Sequence, residues 1–123
     1  MVRVYTFFQD GNFANGTFPL GPILEKGTVT NIRVGNIVKA TGNAAGDVKV
    51  TNGATELQTA VVDMGGSAGP AANTSTKATL HATQTNRDVA EGAALSVVFA
   101  NANAGTGALG IDTCVSVEVA SET

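Results

Sequence analysis

Tryptophan is absent from this 123-residue chain, cysteine and histidine each occur once, and charged residues make up only 14% of it. A lone Cys114 excludes an internal disulfide framework, so packing alone must hold the fold. Cys114 and His81 stand far apart, a poor start for a metal site that needs several converging N, S or O ligands, and no metal is expected. The seven Lys and Arg are scattered singly against ten acidic residues, giving a net charge of -3 with no basic stripe to neutralise a row of phosphates. Nucleic acid is therefore not an expected partner. No run reaches the roughly 18 apolar residues of a membrane-spanning helix, and Met1–Phe8 is too short an apolar stretch for a secretion signal. Neither a membrane partner nor export is expected.

What the chain has in abundance is Ala, Gly, Thr, Asn and Val. Small neutral side chains lower the cost of desolvating a wide contact, which suits permanent assembly. The length is that of one domain able to bury a core of its own. Apolar residues recur with period two, the signature of strands with one face inward. In Ile111–Val119, Ile111, Val115, Val117 and Val119 face one way and Asp112, Cys114, Ser116 and Glu118 the other; Leu95, Val97 and Phe99 share a face, and so do Ala78, Leu80 and Ala82. Val48 and Val50 alternate within residues 47–50, and between Val29 and Ile32 the phase slips by one, which predicts a β-bulge near Thr30-Asn31. Asn52-Gly53 between apolar runs signals a hairpin, with further turns at Gly42–Gly46 and Ala104–Gly107. Residues 56–62 have a weak helical propensity, but their Thr-Ala-Val-Val end favours strand. Residues 1–25, with two Pro and Gly-Asn punctuation, read as an N-terminal arm or edge strand ahead of a β-domain spanning 26–123.

Motifs that suggest chemistry lack their context. Gly65-Gly66-Ser67-Ala68-Gly69 matches the nucleophile elbow G-x-S-x-G, but no helix follows and no acid lies between Ser67 and His81. Gly105-Thr106-Gly107-Ala108-Leu109-Gly110 matches the dinucleotide fingerprint, yet a Val-rich strand follows where a helix is required. Asp10–Gly16 resembles a calcium loop only loosely, its glycine one place late and Gly21 standing where a bidentate Glu belongs. His81 falls on a polar face without a partner for acid–base work. No cofactor and no catalytic residue follow from the sequence, which reads as a binding or structural protein rather than an enzyme.

The order of signals from residue 27 onward resembles β-sandwich modules of tailed-phage virion proteins. The resemblance is carried by Gly27-Thr28-Val29-Thr30-Asn31-Ile32-Arg33-Val34, by Gly46–Gly53 running into Asn-Gly, by Arg87-Asp88-Val89-Ala90-Glu91-Gly92 with Leu95-Ser96-Val97, and by Gly107-Ala108-Leu109-Gly110-Ile111. Ala93 departs from it, standing where an Asp usually follows the glycine. The resemblance implies an all-β, antiparallel, jelly-roll-like sandwich that acts as a capsid decoration (cement) protein or head-fibre component, commonly a homotrimer. Its partners would be the major capsid protein and itself, and its place the capsid surface, after synthesis in the host cytoplasm. The alternative from the same particle is a tail or fibre-tip module binding a host surface glycan. Five of six aromatics, Tyr5, Phe7, Phe8, Phe13 and Phe18, lie in the first 18 residues; aromatics dominate interface energetics, so these are the expected partner-binding residues of the arm. Cys114 and Val98, both on the face opposite the core residues, are the expected subunit-interface positions.

Overall fold

The computed structural model describes residues 1–121. Among these residues ten strands run in chain order: β1 (Val2–Asn12), β2 (Gly16–Pro22), β3 (Gly27–Val38), β4 (Ala45–Asn52), β5 (Thr55–Glu56), β6 (Val62–Asp63), β7 (Thr74–Lys77), β8 (Asp88–Val89), β9 (Ala94–Asn103) and β10 (Ile111–Ser121). One 3-10 turn, Gln84–Asn86, precedes β8.

The two valine-rich alternations become the sheet centres. β10 lies between β1 and β3 in a first sheet ordered β1-β10-β3-β7, with β8 also on β3; β9 lies between β2 and β4 in a second ordered β2-β9-β4-β5, with β6 also on β4. Every pairing is antiparallel. β1 pairs with β10, β2 with β9, β3 with β7 and β4 with β5 and β6, so the chain is one long two-stranded ribbon rolled into two sheets. That is the winding of a jelly roll, and the expected all-β sandwich is the fold observed.

Val29, Ile32, Val34, Val115, Val117 and Val119 from the first sheet meet Val48, Val50, Leu95, Val97 and Phe99 from the second, and all are buried. The bulge falls where the phase slip placed it: Glu118 pairs with Asn31 and Val119 with Val29, leaving Thr30 as the extra residue. Asn52 pairs with Thr55 across a two-residue turn in which Gly53 has φ 61, a left-handed conformation glycine adopts without strain.

The alternation at residues 77–83 is a strand only at its start. Regular pairing of β7 ends at Lys77, Ala78 adds one further bond to Ile32, and the chain then leaves the sheet toward the 3-10 turn. Ala78 is buried, Leu80 half-buried and Ala82 exposed. Residues 56–62 form no helix; two short strands flank an irregular stretch there, and a side chain fills the gap between them. Buried Gln58 accepts from the Val50 N–H at 2.7 Å through Oε1, and its Nε2 donates to the carbonyls of Val48 and Ala60. A side-chain amide thus replaces the missing strand partner along β4. Gln58→Met keeps the bulk and removes these bonds, so urea unfolding is expected to show a loss of about 1–3 kcal/mol, the cost of an unsatisfied buried amide.

Of the two forms left open for residues 1–25, they take the edge strand. β1 closes one side of the first sheet and β2 the same side of the second. Gln9 fixes the corner between them, its amide accepting from Ala14 N–H and donating to Ala14 O. Further along, Tyr5 Oη accepts from Leu24 N–H, and Arg3 pairs with Glu25 at 3.4 Å.

Candidate functional site

β1 is unusual in having two apolar phases. Arg3, Tyr5, Phe7 and Gln9 turn toward the sandwich interior, whereas Val2, Val4, Thr6 and Phe8 turn to the outer face of the first sheet. Size decides which set is buried: the ring of Phe7 stacks on Phe18 with centroids 5.0 Å apart, and both rings lie 5.8 Å from Phe99, so the larger inner set fills the mouth between the edge strands. The smaller set stays in solvent, Val2 at 58%, Val4 at 56% and Phe8 at 48% exposure.

The expected partner-binding aromatics therefore divide. Phe13 is buried at the end of the core, edge-on to Phe99 at 5.2 Å. Tyr5, Phe7 and Phe18 are half-buried and packed against the core, and Phe8 alone of the five is exposed. Val98 and Cys114 both point outward, but from opposite sheets: Val98 lies between Thr17 and Lys49 on the second, Cys114 between Phe8 and Gly35 on the first. They do not belong to one surface.

Around Cys114 the outer face of the first sheet sinks into an open depression of about 630 Å³. The row Phe8, Cys114, Gly35, Ser75 crosses four strands at one level. Gly35 provides the floor, and a Cβ there would run into the Thr74 carbonyl, so this position keeps β7 close. Phe8 walls one side, with Arg33, Ile37 and Ser75 around the rest; Arg33 donates to Ser75 Oγ at 3.3 Å. Partial burial, reinforced by the carboxylate of Asp112, pushes the Cys114 thiol above its ordinary pKa, which keeps it in the protonated, weakly nucleophilic form at neutral pH. Such a thiol acts as a small apolar contact.

Exposed Val2 and Val4 extend the apolar character of this face beyond the depression, Ile37 lies at its rim, and Val38 is exposed at the end of β3. These four, with Arg33, Gly35 and Ser75, were not singled out from the sequence. The available signal was the outer phase of β1, masked because the inner phase carries the rings of Tyr5 and Phe7.

The tempting motifs take the places of turns. Gly65–Gly69 closes on itself through Gly69 N–H donating to Gly65 O at 2.6 Å, with Ser67 exposed and no helix after it. Gly105–Gly110 connects β9 to β10. At the end of β1, Gly11 N–H donates to the Asp112 carboxylate at 2.8 Å, fixing the register shift there. Among the described residues, no three His, Cys, Asp or Glu side chains converge as metal ligands would.

No protein-family model matches this sequence, and no curated protein matches it. Among solved structures, a chain from the structure of infectious bursal disease virus Gx strain is similar over 100% of this chain and 33% of its own length, at 13% identity and a TM-score of 0.39. This chain thus spans about a third of that one. A likeness of that strength decides nothing about role, which must be argued from the face just described.

Proposed function

We propose that this protein is a structural component of a virus particle, a non-enzymatic decoration protein that covers the outer surface of a tailed-phage capsid as a homo-oligomer. The observation that carries the reading is the outer face of the first sheet, where exposed Phe8 and Ile37 line a shallow depression floored by a glycine and exposed Val2 and Val4 continue the apolar surface along β1. A face of this composition loses little on desolvation and gains from apolar burial, the properties needed to seal a junction between capsid subunits. Binding that favours the assembled shell stabilises it by mass action. The order of motifs from Gly27 to Ile111 supports the same reading through its resemblance to phage virion modules.

Mixing the purified chain with expanded and mature tailed-phage capsids tests this. Saturable co-sedimentation is expected, weakened at least tenfold by Phe8→Asp, about 1.4 kcal/mol or more. Failure to bind either form of shell would refute it. A second reading has one observation in its favour: Phe8 walls one side of a depression whose other side carries the polar groups of Arg33 and Ser75, an aromatic facing hydrogen-bonding groups, as a sugar-binding subsite of a fibre tip requires. Binding to bacterial envelopes that a soluble glycan competes away, with none to capsids, would favour it.

A further inference from the structure

The four long sides of the two sheets are protected unequally. β2 carries Pro19 and Pro22 and a register shift between Pro19 and Gly21, all of which blunt an edge. β7 is four residues long, and β5, β6 and β8 are two each. β1, in contrast, is an eleven-residue edge with no proline and regular pairing as far as Gln9.

The hydrogen-bonding phase of that edge follows from one contact. Ser121 N–H donates to Met1 O at 2.8 Å, and the register is unbroken from Val2 opposite Ala120 to Gln9 opposite Thr113. Alternation along an antiparallel ladder then turns the N–H and C=O groups of Arg3, Tyr5 and Phe7 toward β10 and those of Val2, Val4, Thr6 and Phe8 out of the sheet. The outward backbone groups thus belong to the residues whose side chains form the exposed apolar stripe. A strand is the natural occupant of such an edge.

We propose that β1 pairs antiparallel with β1 of a second copy about a two-fold axis at Thr6, joining the two first sheets into one continuous sheet. The strand is self-complementary in that register. Thr6 faces Thr6, a favourable cross-strand pair; Val4 faces Phe8 on the outer side; Tyr5 faces Phe7 on the inner side; and Arg3 faces Gln9. Val2 faces Asp10 at the two ends of the overlap; moving the axis to a neighbouring residue either shortens the overlap or brings Asp10 inward, against Val4. The pairing also covers Tyr5 and Phe7, which one copy leaves half-buried. An isologous contact of this kind uses up both edges and closes at two copies, not at the trimer that the family resemblance implies. It sets two Phe8–Cys114 depressions on one surface, so that attachment through both gains from effective concentration.

This rests on the homo-oligomer part of the proposed function and is separable from capsid attachment. Sedimentation velocity over a concentration series is expected to show the wild-type chain reversibly forming dimers. Thr6→Lys and Thr6→Asp alter an exposed side chain and set like charges directly opposite each other. Each alone should sediment as a monomer with an unchanged circular dichroism spectrum, and an equimolar mixture should restore the dimer. Dimers or larger assemblies that persist in both variants overturn the pairing while leaving an oligomer. A wild-type chain that stays single at every concentration overturns the pairing and the oligomer together. Loss of capsid co-sedimentation in T6K, from a chain that never self-associates, would instead assign the edge to a strand of the shell and overturn the second copy as its occupant.

Discussion

A chain beginning at residue 19 is expected not to fold. The sequence alone allowed residues 1–18 to be a detachable arm, in which case the remainder would keep its sheet signal. In the structure these residues supply all of β1, the start of β2, and the rings of Phe7, Phe13 and Phe18. Phe13 is only 3% exposed, and truncation of a buried phenylalanine alone costs about 3–5 kcal/mol. Domains of this size have about 5–15 kcal/mol in total. The deletion removes that ring, three partly buried ones, and the β1 partner of β10, whose backbone groups would then face solvent on that side. The summed loss exceeds any plausible reserve. A far-UV circular dichroism spectrum of a disordered chain and no cooperative urea transition are expected; a sandwich spectrum with a sharp transition would show the N-terminal strands to be dispensable.

Phe99→Ala should be the most damaging single substitution in the core. Phe99 is 1% exposed and its ring contacts those of Phe7, Phe13 and Phe18 with centroids between 5.2 and 5.8 Å. Those three come from the two edge strands and the corner between them, so Phe99 joins the N-terminal pair of strands to the centre of the second sheet. Cavity formation costs about 3–5 kcal/mol, and each aromatic pair lost adds about 0.5–1.5 kcal/mol, less than additively. Denaturant titration should show the midpoint fall by the greater part of the protein's stability. Phe18→Ala, at a half-buried position, should cost visibly less. Equal losses would mean that the cluster is not organised around Phe99.

The central strands were legible in the sequence because each has one phase of large apolar residues. β10 alternates valines with Cys114, Ser116 and Glu118, and β9 alternates Leu95, Val97 and Phe99 with Ala94, Ser96, Val98 and Ala100. The slip at Thr30 could be read for the same reason, since an extra residue moves a clean pattern by one step. β1 resisted such reading because both of its phases are apolar: period two identifies a strand but cannot say which side is inward. Its aromatics looked like an anchor for a partner, and most of them are the closing plug of the domain's own core. Gln58 was illegible on different grounds, because a polar residue in a short irregular stretch gives no hint that its amide stands in for backbone. The depression at Cys114 depends on Phe8, Gly35 and Ser75 meeting from three distant parts of the chain, which only the pairing registers bring together.

The rolled ribbon has a consequence for how the protein is made. Val2 sits opposite Ala120 and Thr17 opposite Val98, so β1 and β2 are synthesised well before their partners β10 and β9. During translation the aromatic-rich β1 must wait, unpaired, until β10 has left the ribosome, and sequence-distant contacts of this kind form slowly. A nascent chain with its stickiest segment exposed longest is open to aggregation, and the step that ends that interval is the docking of β10, which completes the first sheet and shelters β1 in one event.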